Sequence, residues 1–353
     1  QRMISLLKII YLHFFFIIIS IFVLIGCVEK NYSPENREKV NGRLIVNLKG
    51  EWRFSLGDSF KWNEKDFDDN NWDRIIVPSS WENQGFHGYD GFAWYRKEFF
   101  LNEDVSDENP YLILGYVDDA DRTYLNGELI GLSGGFPPNY NTAYNAFRKY
   151  KIPNGLLKKG KNVIAVRVYD QELEGGIMSG EIGIYSFNNE INPDISLEGI
   201  WKFKIGDDKL RAEIKYDDSD WDSLFVPAHW DMQGYRNYDG FAWYRKKFYV
   251  DKKLSREKLI LLLGKIDDID QTYINGIQIG STGLWNFDKV PTEFNTRNEW
   301  EQKRVYTIPD GILNFNGENI IAVRVYDGFQ DGGIYEGPVG IITQKKFKEF
   351  TSR

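Results

Sequence analysis

Tyr89 and Asp90 stand between Gly88 and Gly91, just ahead of an alternating apolar run. Asp119 and Asp121 sit two residues apart, and Arg167 and Asp170 close a second alternating run. Tyr140 ends the loop-like stretch Phe136-Pro137-Pro138-Asn139-Tyr140. The same types recur later as Tyr238, Asp239, Asp268, Asp270, Arg324 and Asp327, with Trp285 in the segment that answers to Tyr140. Aromatic rings offer flat apolar surface, while carboxylates and guanidinium groups make paired hydrogen bonds. That combination suits a carbohydrate, which presents apolar C–H faces and rings of hydroxyls. Each residue also has a structural use. Arg96 and Arg167 lie on strands, where a half-buried guanidinium needs a carboxylate, and Asp119, Asp121 and Asp170 are the choices.

Other chemistries fare worse. Gly57-Asp58-Ser59 has the look of an esterase nucleophile block, but a nucleophilic Ser needs a base and the strand–nucleophile–helix context. The equivalent later stretch reads Gly206-Asp207-Asp208, without the Ser, so a turn closing a strand is the better account. Asp118, Asp119 and Asp121, or Asp267, Asp268 and Asp270, offer oxygen ligands to a hard cation. Three Asp at a strand entrance do not alone supply the roughly six to eight oxygens of Ca²⁺. Alternation sets Asp119 and Asp121 on one side and Asp118 on the other. A net charge of -8 without a long basic run argues against nucleic acid as partner.

These residues sit on a repeat. Trp52, Trp72, Pro78 and Trp81 recur as Trp201, Trp221, Pro227 and Trp230, all at an offset of 149. Tyr-Asp-Gly-Phe-Ala-Trp-Tyr-Arg-Lys at 89–97 recurs letter for letter at 238–246. After Gly280 the second copy is longer, so Ile-Ala-Val-Arg-Val-Tyr-Asp at 164–170 returns at 321–327, an offset of 157. The spacing predicts two domains, 44–187 and 195–345, joined by a linker over 188–194, with a polar tether at 28–43 and a tail at 346–353. Period-two alternation through Trp94–Phe99 and Ile164–Tyr169 predicts strands, and Tyr124-Leu-Asn126-Gly127-Glu-Leu-Ile predicts a hairpin turning on Asn-Gly. Aromatics make up 16% of the chain, and Trp52, Trp72, Trp81 and Tyr95 read as packing residues of a sandwich.

Each copy resembles the sugar-binding, jelly-roll domain at the front of glycoside hydrolase family 2 enzymes such as β-galactosidases and β-glucuronidases. The resemblance rests on Gly50-x-Trp52-x-Phe54, Trp72, Val77-Pro78 with Trp81, Trp94-Tyr95-Arg96 with Phe99, Asp121-x-x-Tyr124-x-Asn126-Gly127, and Gly160-x-Asn162-x-Ile-Ala-Val. It implies an all-β fold of two tandem jelly-roll β-sandwich domains, galactose-binding-like. In that family the catalytic Glu pair lies on a separate barrel of about 250 residues. Two sandwiches and an export segment leave no room for one here, so no enzyme activity is expected. Jelly-roll modules of this broad type often hold a structural Ca²⁺, which is the one cofactor the resemblance admits.

Arg2 and Lys8 precede an apolar run ending in Leu24-Ile25-Gly26-Cys27, the order of a secretory signal. Leu-Ile-Gly-Cys resembles a bacterial lipobox, which implies a signal peptide over 1–27 and a lipid on Cys27, the chain's only Cys. The alternative is an uncleaved anchor of about 20 apolar residues. Either places the rest outside the cytoplasm, as a membrane-anchored lipoprotein at the cell surface or in the periplasm. The leading expectation is a non-catalytic carbohydrate-binding lipoprotein whose partners are glycan and, through its lipid, the membrane. The alternatives are an accessory fragment or partner of a β-galactosidase- or β-glucuronidase-like hydrolase, and a structural or protein-interaction module.

Overall fold

The computed structural model describes residues 40–105, 108–285 and 298–352. The expected signal, Cys27 and most of the tether lie outside them, as do Asn286 and Phe287. Among the described residues no helix is long and apolar enough to cross a membrane.

Within residues 43–186 the strands are β1 (Arg43–Asn47), β2 (Gly50–Leu56), β3 (Asp73–Val77), β4 (Gly91–Leu101), β5 (Pro110–Asp118), β6 (Ala120–Leu125), β7 (Glu128–Ser133), β8 (Phe147–Lys151), β9 (Gly160–Asp170), β10 (Gly176–Ser179) and β11 (Gly183–Ser186). One sheet runs β3-β2-β4-β9-β6-β7, and the other gathers β1, β11, β10 and β8 about β5. The second repeat is built to the same plan. Its strands are β12 (Ile195–Ser196), β13 (Gly199–Ile205), β14 (Asp222–Val226), β15 (Gly240–Tyr249), β16 (Leu259–Asp267), β17 (Ile269–Ile274), β18 (Ile277–Thr282), β19 (Lys303–Ile308), β20 (Glu318–Asp327) and β21 (Gly333–Thr343). They form sheets ordered β14-β13-β15-β20-β17-β18 and β12-β21-β16-β19. The molecule is thus an all-β sandwich protein, as its alternating sequence requires.

Each sandwich closes over apolar residues taken alternately from both sheets. In the first repeat Trp52, Phe54, Trp81 and Tyr95 pack with Leu112, Leu114, Val166 and Val168, and all are fully or almost fully buried. Trp201, Phe203, Trp230 and Tyr244 do the same beside Leu261, Leu263, Val323 and Val325. Trp72 is the exception. It packs only half-buried on the outer face of its sheet, edge-on to Trp62 at 5.1 Å. The Asn126-Gly127 and Asn275-Gly276 turns take the positive φ angles that such tight hairpins demand, 51° and 89° in the first and 50° and 78° in the second.

The expected tail is mostly a short helix, α1 (Gln344–Thr351), capped by the Thr343 hydroxyl, which accepts from the Lys346 N–H at 3.4 Å. Phe347 packs on Ile260, Leu262 and Ile342, and this docking draws the segment into regular structure.

The repeats also touch each other. Leu132 of the first meets Phe225 and Ala228 of the second, with Leu129 and Met232 alongside. Asn139 Nδ2 donates to the Gly234 carbonyl at 3.3 Å, and Arg236 to the Tyr140 carbonyl at 2.7 Å. A cleft of about 570 Å³ lies beside this contact, lined by Lys151 and Glu190 from one side and Glu198, Lys303 and Tyr335 from the other. None of the candidate sugar-binding residues lines it.

Candidate functional site

The outer face of the six-stranded sheet and the carboxylates at its end form the candidate site. Register aligns Phe92 with Tyr169 and Trp94 with Arg167 across β4 and β9, and Arg122 with Arg167 across β6 and β9. Residues directly opposite share a face, so these side chains all point outward. Phe92 and Tyr169 lie 4.8 Å apart, Tyr140 approaches Tyr169 at 5.6 Å, and Phe136 approaches Phe92 at 5.5 Å.

Arg167 lies among them, its guanidinium 4.4 Å from the Phe92 centroid, 4.5 Å from Phe136 and 4.9 Å from Phe60. Phe60 is 66% exposed and caps this row. A cation over aromatic faces is held electrostatically as well as by contact. Its charge is met by Asp58, which accepts from Arg167 Nε at 2.7 Å and from a second guanidinium nitrogen, and also from Trp94 Nε1 at 2.9 Å. The second repeat rebuilds the arrangement. Arg324 donates to Asp207 and to Gln271, and lies 4.7 Å from the Phe241 ring and 4.8 Å from Trp285.

Arg167 therefore pairs with Asp58, not with Asp119, Asp121 or Asp170. Arg96 turns instead to Asp69, at 2.8 Å, and to the Trp62 and Glu64 carbonyls, fastening the 62–69 loop to the sheet. In the sequence Asp58 and Asp207 look like no more than parts of a false nucleophile block and a turn. Their recurrence at the same place in both repeats is the signal that marks them.

Asp121 faces the opposite way, into the sandwich, with no exposed surface. It accepts from Arg148 Nε at 2.9 Å, from the Tyr150 hydroxyl at 2.9 Å and from Thr123 at 2.8 Å. Arg148 and Tyr150 belong to β8, so this network joins the two sheets. Asp270 repeats it with Arg304 at 2.9 Å, Tyr306 at 3.0 Å and Thr272 at 2.8 Å. Enclosed in this way, Asp121 and Asp270 do not reach the outer face. Tyr89 and Tyr238 are likewise occupied locally, each hydroxyl donating at 2.7 Å to the carbonyl of Phe92 or Phe241.

Asp119 and Asp170 come together where β6 begins and β9 ends, joined by Asp118. Their facing carboxylate oxygens all lie within 4.8 Å of one another, and Asp267, Asp268 and Asp327 form the same group in the second repeat. The peptide between the adjacent Asp residues is cis in both. Asp119 takes hydrogen bonds from the Tyr140 hydroxyl at 2.6 Å, from the Gln171 N–H at 3.0 Å and from Thr142. Burial pushes its pKa up, yet hydrogen bonds from Thr142, Tyr140 and Asp118 outweigh it and hold the carboxyl below its usual range. Asp170 is the reverse case. It has no exposed surface, and neither carboxylate oxygen has a hydrogen-bond partner. Burial first, then the Asp119 and Asp118 charges, push its pKa up to about 8. Burial, then Asp268 and Asp239 among the neighbouring charges, raise Asp327 to about 7. Asp90 and Asp239 are exposed on the adjoining loops.

Residues 216–328 match the family model described as the β-galactosidase second all-beta domain. The chain carries an all-β domain related to those of glycoside hydrolase family 2. A putative β-glucuronidase of Formosa agariphila is 32% identical over 144 residues, which is 37% of this chain and 13% of that protein. The β-galactosidase BoGH2A of Bacteroides ovatus is 28% identical over 160 residues, covering 41% of this chain and 18% of its own length. The solved structure of Bacteroides uniformis β-glucuronidase 2 aligns over 82% of this chain and 28% of its own, at 15% identity and a TM-score of 0.34. The chain thus spans less than a fifth of the curated relatives it matches. The family 2 relationship covers an all-β part of those enzymes.

Proposed function

We propose that the two repeats are tandem, non-catalytic carbohydrate-binding modules of family 2 type, presented on an exported lipoprotein. One observation carries this: the outer face sets an aromatic row against an Arg–Asp pair, and it does so in both repeats. Phe60, Phe92 and Tyr169 provide stacking surface beside Arg167 and Asp58, and Phe241 and Tyr326 provide it beside Arg324 and Asp207. Sugars bind such surfaces through C–H contacts to the rings and paired hydrogen bonds to the planar charged groups. Asp90, Asp119 and Tyr140, with Asp239 and Asp268, rim the same end and supply the polar edge. Asp121 and Asp270 have a structural part in this scheme, holding the sheets together.

Calorimetry and a glycan array, with galactose- and glucuronate-terminated oligosaccharides included, test the proposal. Binding that falls at least tenfold in Phe60→Ala and Tyr169→Ala supports it. Absence of binding across plant, host and bacterial glycans sinks it. A second reading is favoured by the relatives, β-glucuronidases and β-galactosidases matched over a small part of their length. On that reading the chain works as an accessory of such a hydrolase. Co-purification with a hydrolase, or stimulation of its turnover on an aryl glycoside, distinguishes the two. Lipid attachment at Cys27 is tested separately by mass spectrometry of the N-terminal peptide from membranes.

A further inference from the structure

We propose, resting on the carbohydrate-binding reading above, that the outer face of the first repeat selects an anionic sugar, one bearing a carboxylate or a sulfate, and that Arg122 makes the selecting contact. Register sets Arg122 directly across from Arg167. Both guanidinium groups lie over the Phe136 ring, 5.0 Å and 4.5 Å from its centroid. Asp58 answers only one of them. Its two oxygens are engaged by Arg167, and one of them also by Trp94 Nε1. Asp121, next to Arg122 in the chain, points into the sandwich and is held by Arg148. Asp119 is engaged by Tyr140, Thr142 and the Gln171 N–H. Among the described residues Arg122 makes no hydrogen bond and no ion pair, and it rests on the Phe136 ring alone.

Arg122 is half-buried. Burial is the main cause that pulls its pKa down, and the like charge of Arg167 adds to it. A guanidinium nevertheless stays protonated in proteins, so the site carries a second cation without a second anion. A bound sugar can supply that anion. Carboxylate and sulfate both present a pair of oxygens that two guanidinium N–H groups meet in plane. Phe92 and Tyr169, on the same face, offer rings to the apolar side of such a sugar. The second repeat is the internal comparison. The offset of 149 puts Gln271 in the place of Arg122, and register sets it across from Arg324. Gln271 Oε1 accepts from Arg324 at 2.9 Å and from the Tyr273 hydroxyl at 3.3 Å. A neutral amide there satisfies the Arg instead of adding a charge, so that position gives an anionic sugar no cation to meet.

A glycan array presents the full chain with neutral, uronate-terminated and sulfated oligosaccharides matched in galacto and gluco configuration. Calorimetry then follows the best-bound matched set, with uronate and sulfate as separate arms to show which anion fits. The expected result is about tenfold tighter binding of the acidic member than of its neutral match, the effect of one charge-assisted contact. That preference shrinks as NaCl is raised. Arg122→Gln is expected to bring the acidic-to-neutral ratio to about one, and Arg122→Lys to keep part of it. Equal affinity for acidic and neutral members in the wild type, or a preference that survives Arg122→Gln, overturns the inference and leaves the carbohydrate-binding reading standing. Binding to no glycan of any kind sinks both. If Arg122→Gln does not fold, Arg122→Met, which keeps the apolar stem, is read by the same ratio in its place.

Discussion

Asp121→Ala is expected to be among the most damaging single substitutions in the first repeat. Asp121 and Arg148 have no exposed side-chain surface and meet at 2.9 Å. Removing the carboxylate leaves Arg148 with carbonyl partners, including Asp119 at 2.9 Å and Ala146 at 2.6 Å, but without a counter-charge. Breaking a buried ion pair from one side costs about 3–5 kcal/mol. Tyr150 and Thr123 lose an acceptor as well, although these losses overlap with the first and are not added to it. With a urea m-value of about 2 kcal/mol/M, a loss of about 4 kcal/mol moves the midpoint down by about 2 M. Urea unfolding followed by circular dichroism and Trp fluorescence reads this directly. The double substitution Asp121→Leu with Arg148→Met is expected to be milder than Asp121→Ala alone, because it removes the stranded charge. A midpoint loss in Asp121→Ala equivalent to less than about 1 kcal/mol would refute the reasoning, since only a solvated pair is so weak.

Gly131→Ala is expected to destabilise by about 1–3 kcal/mol through overpacking, because a Cβ there would lie 2.1 Å from the Tyr150 ring, and Gly280→Ala should do likewise against Tyr306 at 2.3 Å; thermal melts check both. Burial lowers the Lys246 pKa from the usual 10.5 to about 8, so the unfolded chain holds this proton more tightly than the folded one between those values. Stability should therefore gain a contribution as pH rises through that window, and the contribution should vanish from the difference curve of Lys246→Met. Phe60→Ala, at a 66% exposed ring, should change stability by less than about 0.5 kcal/mol while weakening glycan retention in affinity electrophoresis.

Much of the framework can be read from residue order alone. The Trp, Val-Pro and Asn-Gly landmarks recur at fixed offsets, and alternation through 164–169 marks β9 as a strand, although the structure buries it on both faces. Which face each residue takes is harder. Period two couples Asp119 with Asp121 and sets Asp118 apart, but the strand breaks at Asp119, so Asp118 and Asp119 both gather with Asp170 while Asp121 alone turns inward to Arg148 and Tyr150 of the other sheet. These two lie beyond the loop in which the copies differ most, so their recurrence as Arg304 and Tyr306 is masked by the changed offset. Asp58 is hard to read from sequence for the same kind of reason, since its partner Arg167 is 109 residues away. The sequence places Asp170 at a strand end, where β9 does end, yet its lack of any hydrogen-bond donor is a property of three dimensions. Packing across a sandwich is non-local, and local pattern carries little of it.

The apolar contact of Leu132 with Phe225 and Ala228 has a further consequence for ligand choice. It ties the two outer faces at one separation, so on the proposed carbohydrate-binding reading the chain would discriminate by length as well as chemistry. A short sugar fits one face at a time and gains nothing from duplication. A polymer whose spacing matches the separation engages the second face at a high effective concentration, and its residence lengthens by multivalency instead of by any new contact. Substituting Leu132 with a polar residue would loosen that spacing, blurring discrimination between chain lengths while leaving affinity for a single sugar intact.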